Sequence, residues 1–468
     1  MNETFTFSSR AKKAFFIMMG IGVLGAILAI FPLDDNNHMS RLWSNIVINS
    51  YYFMGIALGG MFFIAVHQVG YGGFQTALRR VPEAMTRFVP WAGLLYLIIV
   101  GATAAGINPV YAHWTDAHGD AVIEGKKPFL TIGFFAMMVV LYVVLWTGLT
   151  FWWRKLSAQS DAAGENQGGI YKKMKVASAI FLVVFAVTSS TQSWQMIMSI
   201  DAHWYSTLFG WYNFASYMCG AFAFMILIVV YLKSRGYLAE TNENHIHDLG
   251  KYLFGFSIFY TYLWFSQFML IWYANVPEET IYFSNRMNVP LFKFGFFATF
   301  AINFIFPFLV LMTRANKRKL GLMAFVCIVV IGGHFMDFWM MVAPGANAPH
   351  HDAHAEHDEG HEASTEEDHA HFNEGLEDQN HEADVVLTDH HEGEAHAEEG
   401  HGEEGAHADE HHGEHKEKLT YAGLGLPEMF MFIGFVGFFL FIVFSGLSKT
   451  ALVPRSDVFM KESKQHHI

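Results

Sequence analysis

The sequence predicts an all-α integral membrane protein of ten transmembrane helices. Three observations predict it. Ten apolar stretches each approach the roughly 20 residues needed to cross hydrocarbon. The Lys and Arg content of their connections alternates along the chain. The 468 residues are 53% hydrophobic and 16% aromatic against 15% charged.

The spans are expected at about 14–31, 46–66, 88–106, 130–150, 176–196, 207–232, 252–272, 291–312, 320–342 and 426–447. Span one follows a basic start (Arg10, Lys12, Lys13) that resembles a secretory signal. Its apolar run of about 18 residues exceeds the roughly 7 to 15 of a secretory core, so it is read as a retained helix. The connections after spans two, four, six and eight are basic, with Arg79, Arg80 and Arg87, then Arg154, Lys155, Lys172, Lys173 and Lys175, then Lys233, Arg235 and Lys251, then Arg314, Lys317, Arg318 and Lys319. The alternate connections hold only Arg41, Lys126, Lys127, Arg286, Lys293, Lys416 and Lys418. The positive-inside rule therefore puts both termini in the cytoplasm.

Three segments follow: a membrane domain over 1–342, a loop over 343–425, and span ten with its tail over 426–468. The net charge of -14 belongs to the loop, because residues 350–418 carry 24 acids against two Lys and leave 19 acids against 27 bases elsewhere. The same stretch holds 16 of the 26 His. A run of His, Glu, Asp, Ala and Gly buries too little apolar surface to fold alone. It reads as a solvated insertion, or as a weak chelator of divalent metal or a proton buffer at the outer face. The basic membrane body is explained by topology, and no nucleic-acid partner is expected.

Both cysteines, Cys219 and Cys327, stand alone in apolar spans, without CxxC or CxxCH. No disulfide framework, iron-sulfur site or covalent haem is expected. Non-covalent haem needs two axial ligands at one depth, whereas His67 lies at the inner end of span two and His334 about 20 Å from the inner end of span nine. The chain is expected to hold no redox metal, so electrons would begin or end on a diffusible substrate or a partner.

Ionisable side chains within hydrocarbon are costly and default to functional candidates. Asp337 is the one carboxylate well inside an apolar span, and His334 lies three residues earlier on the same helical face. A proton could pass between carboxylate, imidazole and outside water. Alternatively, the pair staples helices. Span five ends in Gln192, Trp194 and Gln195 and leads to SIDAHWYSTLFGWY at 199–212, which places Asp201, His203 and Trp204 at the outer interface. An aromatic belt would explain the rings but not Asp201 or His203.

The outer half of span seven offers Tyr260, Tyr262, Trp264, Ser266 and Gln267. A flat ring bearing two oxygens, such as a quinone, needs aromatic or Met walls and a few hydrogen-bonding groups, and this segment has both; a lipid-facing or core stripe would look similar. At the inner face, His67, Gln68, Arg79 and Arg80, with His245, His247 and Asp248, are either the start of a proton route or ordinary polar helix ends.

SIDAHWYSTLFGWY, HDLGKYLFGFSIFYTYLWFSQFMLIWYANVPEE at 247–279 and GHFMDFWMMVAP at 333–344 together resemble the ActF-type membrane subunits of bacterial alternative complex III. These belong to the NrfD-like (polysulfide reductase membrane subunit) family, and the similarity runs over nearly all spans and the His-rich insertion. The resemblance implies a bacterial inner-membrane protein with the His-rich loop in the periplasm. It implies two four-helix bundles, spans two to five and six to nine, flanked by the first and last helices. Bundles of equal helix number share one membrane orientation, which suits a parallel repeat.

The function implied is that of a quinol:cytochrome c or quinol:oxidase oxidoreductase subunit, inactive alone. Quinol, with menaquinol the expected form, is the substrate. The implied partners are a sister NrfD-like subunit, an iron-sulfur subunit, multihaem cytochrome c subunits and a terminal oxidase. Asp337, His334, Asp201 and His203 would relay protons, and Trp204, Tyr262, Trp264 and Gln267 would line a quinol site. The chain departs from its sister in span seven, offering Ser266 and Gln267 where the sister has an acid, so quinol oxidation would fall mainly to the sister. A scaffold without chemistry and a divalent-metal transporter remain as alternatives.

Overall fold

The computed structural model describes residues 3–31, 39–116, 120–163, 168–346, 424–454 and 457–466. Most of the His-rich loop, with its expected disorder and metal or proton chemistry, lies outside them. The chain is an all-α integral membrane protein. Ten helices among the described residues are long and apolar enough to cross a membrane: α1 Ser9–Ile30, α2 Ser40–Val69, α3 Arg80–Ala104, α4 Ile132–Ala163, α5 Gly168–Ile200, α6 Leu208–Ser234, α7 Glu243–Ala274, α8 Pro290–Leu311, α9 Leu320–Ala346 and α10 Leu426–Leu447. The described residues contain no strand, only an isolated bridge between Thr4 and Ala451.

Each expected apolar run matches one helix, overrunning it by no more than two residues at either end, and several helices continue well past their run. The run in α7 was expected from 252, whereas the helix begins at Glu243, where the Asn242 side chain accepts the backbone N–H groups of Asn244 and His245. A cap satisfies donors that hydrocarbon would leave orphaned, so the helix can start in water well before its apolar face does. Likewise α9 continues to Ala346, four residues past its expected end.

α2 contacts α3 and α5, and α4 closes the set against both α3 and α5; α6 contacts α7 and α9, with α8 lying between those two. Contacts of α6 with α2 and α5, and of α9 with α2, also join spans two to five to spans six to nine. α2 and α6 are the most buried helices and pack together at the centre, while α1 and α10 pair at the side. In lipid, helix association rests on close packing and interhelical hydrogen bonds rather than on a hydrophobic drive. Trp146 Nε1 donates to Thr188 Oγ1 (2.9 Å) and Trp153 Nε1 to Ser178 Oγ (3.0 Å), tying α4 to α5. Such bonds contribute roughly 0.6 to 2 kcal/mol each.

Two features fix the ends of the molecule. Arg41 at the start of α2 meets the buried Glu428 of α10 through both oxygens, at 2.7 and 2.8 Å. At the opposite end, residues 457–466 lie across the helix termini. There Arg79 pairs with Asp457, Ser463 Oγ donates to the Phe74 carbonyl (2.8 Å), and His466 Nε2 meets Asp248 at 2.6 Å. The two ends are called below the Asp201 end and the His67 end.

α8 is interrupted by a π-helical turn, Ala301–Ile305, followed by Pro307. A π turn often marks a functional site. It swings Asn303, fully buried, against α9 at Gly333, where a Cβ would sit 2.1 Å from Asn303 Oδ1. Only glycine permits that approach, and it seats His334 and Asp337 deep inside the second group of helices.

Candidate functional site

Four acids among the described residues are buried: Glu83, Asp248, Asp337 and Glu428. Three lie within two turns of a helix start. Asp337 is nine residues from the end of α9, about 13 Å along the helix, and 1% exposed.

Its partners come from two other helices. On α6, positions 212 and 216 share a face, and it is turned toward α9. Tyr212 donates its hydroxyl to Asp337 Oδ1, and Ser216 Oγ donates to Oδ2 at 2.6 Å. From α7, the Tyr260 hydroxyl donates to Oδ1 at 2.8 Å. The same Ser216 Oγ lies 3.0 Å from His334 Nδ1.

A hydroxyl has one proton to give. With Ser216 donating to Asp337, the bond to His334 requires the imidazole to donate from Nδ1, and in the neutral ring Nε2 is then an acceptor. Nε2 is buried without a protein partner. The Tyr260 ring stands edge-on to the imidazole, with centroids 4.8 Å apart. Together the bonds connect imidazole, hydroxyl and carboxylate in one continuous line along which a proton can move.

Asp337 also borders a cavity of about 30 Å³ between α7, α8, α9 and the short helix Pro277–Met287, lined by Trp264, Gln267, Tyr282, Arg286 and Thr299 among others. That volume accommodates about two waters. Gln267 Oε1 and Thr299 Oγ1 are buried without protein partners, polar atoms of the kind that a cavity water satisfies. A quinol ring, by contrast, needs a pocket nearer several hundred Å³.

Arg286 closes the cavity toward the Asp201 end. Its guanidinium, on a residue 2% exposed, donates to the carbonyls of Tyr282 (2.8 Å), Met340 (3.1 Å) and Met341 (3.1 Å) and to Asp201 Oδ2 (3.1 Å), and it stacks 3.4 Å over the Tyr282 ring. Asp201 thereby belongs to the same polar region as Asp337. His203 does not. It turns outward and binds Asp120 Oδ2 at 2.5 Å through Nε2, with its side chain half exposed.

The expected ring-binding residues also separate. Residues 260, 264 and 267 share one face of α7, and Trp264 and Gln267 line the cavity. Tyr262, on the opposite face, is 65% exposed and touches no part of it. Trp204 is buried, stacks 4.0 Å from Tyr282, and lines a second cavity of about 210 Å³ with Phe129, Trp194 and Met198. Lys126 lies there too, its Nζ donating to the carbonyls of Ala202 (2.7 Å) and His203 (3.0 Å).

The His67 end forms a separate cluster. His67 Nδ1 meets the Phe63 carbonyl at 2.7 Å and Nε2 meets the Tyr252 hydroxyl at 2.9 Å, while Asp248 is bound by Lys251 and His466. Tyr252 and Tyr260 stand eight residues apart, about 12 Å along α7, with Phe222 and Phe256 packed between (5.0 Å). Aromatic rings thus separate this cluster from Asp337. Arg80 is consumed by Glu83 and Asp161.

Sequence reasoning did not single out Arg286, Tyr212 or Ser216. Arg286 has a readable signal, its spacing of four from Tyr282 on a short amphipathic segment outside the spans. Ser216 has none.

Compared with protein-family models and with curated proteins, the chain matches none.

The Asp120–His203 contact carries a pH prediction. Burial raises the Asp120 carboxyl, but bonds from His203 and from the N–H groups of Ile123 and Val122 outweigh it and hold the group below its ordinary 3.8. The bonded form is therefore favoured by folding. Its contribution should be complete above the ordinary value and lost as pH falls through the lower folded one. Hydrogen exchange across 120–125 should stay slow at pH 5 and quicken below about pH 4, and His203→Ala should remove the difference.

Proposed function

We propose that this chain is the proton-carrying membrane subunit of a quinol-oxidising respiratory complex, related to the ActF-type subunits of alternative complex III, with Asp337 as the group that takes and releases the proton. One observation carries the reading: a fully buried carboxylate, held by hydroxyls from two other helices and linked through Ser216 to His334, borders a water-sized polar cavity. A scaffold needs no titratable group at that depth. A divalent-metal transporter needs several ligands converging, and the described residues hold no group of three His, Cys, Asp or Glu. The motifs at 199–212, 247–279 and 333–344 supply the resemblance to quinol oxidoreductase subunits.

In this reading the Lys and Arg distribution places the Asp201 end on the periplasmic side of a bacterial inner membrane. Asp337 receives a proton along the His334–Ser216 line or from the cavity and gives it up toward Arg286 and Asp201. Arg286 holds Asp201 by a hydrogen bond and orders the exit. Quinol is oxidised mainly by the sister subunit, and the cleft beside Trp204 is where a quinol ring could touch this chain. Electrons pass through iron-sulfur and haem partners.

Purification from native membranes tests the assignment. The chain is expected to emerge with the sister subunit, an iron-sulfur protein and multihaem cytochrome c, and to oxidise quinol only in that assembly. An isolated chain with its own haem spectrum, or one that turns over quinol alone, contradicts the proposal.

A further inference from the structure

We propose that a cleft at the His67 end, between α3, α4 and α10, is a binding site for an anionic phospholipid whose headgroup carries two phosphates. The cleft is about 570 Å³, well within the size of ligand sites, and four cations line it: Arg87 from α3, Arg154 and Lys155 from α4, and Lys449 just beyond α10. None has a carboxylate partner among the described residues. The nearest acid on α3, Glu83, is taken by Arg80 and Ser157, and Asp161 on α4 by Arg80. Arg87 and Arg154 stand close enough to repel each other, and Glu83, though bonded to Arg80 and Ser157, is near enough to offset part of that repulsion at Arg154.

A surplus of cations at a helix end is ordinary, since the positive-inside rule needs only their number. Convergence of cations from three helices on one concavity goes beyond it. Gly446 helps build the site: a Cβ there would lie 2.4 Å from Arg87 Cδ, so glycine lets the Arg87 stem cross α10 and bring its guanidinium to the cleft. One turn along the same helices the lining is apolar and exposed, with Trp91 47% and Phe151 61% exposed. Phe151 precedes Arg154 by about one helical turn, so acyl chains would lie against the rings about 5 Å deeper in the membrane than the phosphates at the cations. A soluble anion would leave the rings unused, and one phosphate would leave most of the four cations unmatched.

The test uses the purified complex in nanodiscs of phosphatidylcholine, with or without about a tenth of a two-phosphate lipid of the diphosphatidylglycerol type, read by native mass spectrometry of retained lipid and by thermal unfolding. The two-phosphate lipid is expected to be retained and to raise the unfolding temperature. Arg87→Gln with Arg154→Gln should weaken retention about thirtyfold, the loss expected for two basic side chains near an anionic lipid. Should that pair fail to fold, the exposed Lys155→Gln with Lys449→Gln should weaken it by a similar factor. Equal stabilisation by inorganic phosphate, equal retention of phosphatidylglycerol, unchanged retention in a folded variant, or crosslinks from Lys155 and Lys449 to an acidic partner protein in place of lipid would each overturn the proposal.

Discussion

Asp337→Asn is expected to lower quinol-driven turnover of the assembled complex by about 100-fold or more, the usual loss on removing a proton-transfer group, while assembly is retained. The asparagine fills the same volume and still accepts hydroxyl bonds through its amide oxygen. It cannot take or give up a proton. Tyr212, Ser216 and Tyr260 can each rotate a hydroxyl to suit it, so the packing of α6, α7 and α9 survives. Loss of folding in this variant would place the carboxylate's role in stability. Tyr260→Phe, which removes one of three donors, should reduce turnover much less, because Tyr212 and Ser216 still hold the carboxylate.

Arg286→Leu is expected to destabilise the chain by about 3–5 kcal/mol, the range for breaking a buried ion pair from one side. Leucine leaves Asp201 unpaired and frees three carbonyls, two of them near the end of α9. Arg286→Lys keeps the charge but loses the planar fork that spans these acceptors, so it should recover only part of the stability. Adding Asp201→Asn to Arg286→Leu should cost less than the two changes summed, because the second removes the charge that the first stranded. Thermal unfolding of the four proteins gives the coupling; strict additivity would show that Arg286 and Asp201 do not act as a pair.

The fold was legible because a membrane imposes length and charge rules that one sequence displays directly. Helix ends were not, since caps such as Asn242 carry α7 far beyond its apolar run. Asp337 and His334 were legible for the same reason as the spans, a carboxylate being conspicuous in an apolar stretch. What holds them was not: Ser216 stands 121 residues from Asp337, and a serine in a membrane helix is common. Which face of a helix points inward is equally hidden when every face is apolar. Tyr260 and Tyr262 read alike in the sequence, yet one is buried on Asp337 and the other faces outward. Arg286 was counted as a stray cation because two of its three carbonyl acceptors, Met340 and Met341, and its partner Asp201 lie more than fifty residues away. Glu428 sat at the edge of its span, and only the packing of α10 on α2 brings Arg41 to it.

The central claim is that Asp337 changes protonation as the complex works. Infrared difference spectroscopy of the complex, recorded between resting and quinol-reduced states, reports the stretch of a protonated buried carboxyl directly. A carboxyl band that appears or disappears with turnover, shifts in deuterium oxide and is missing in Asp337→Asn is the expected result. A spectrum in which the assembled Asn variant shows the same band as the parent would contradict it and leave Asp337 as a packing group.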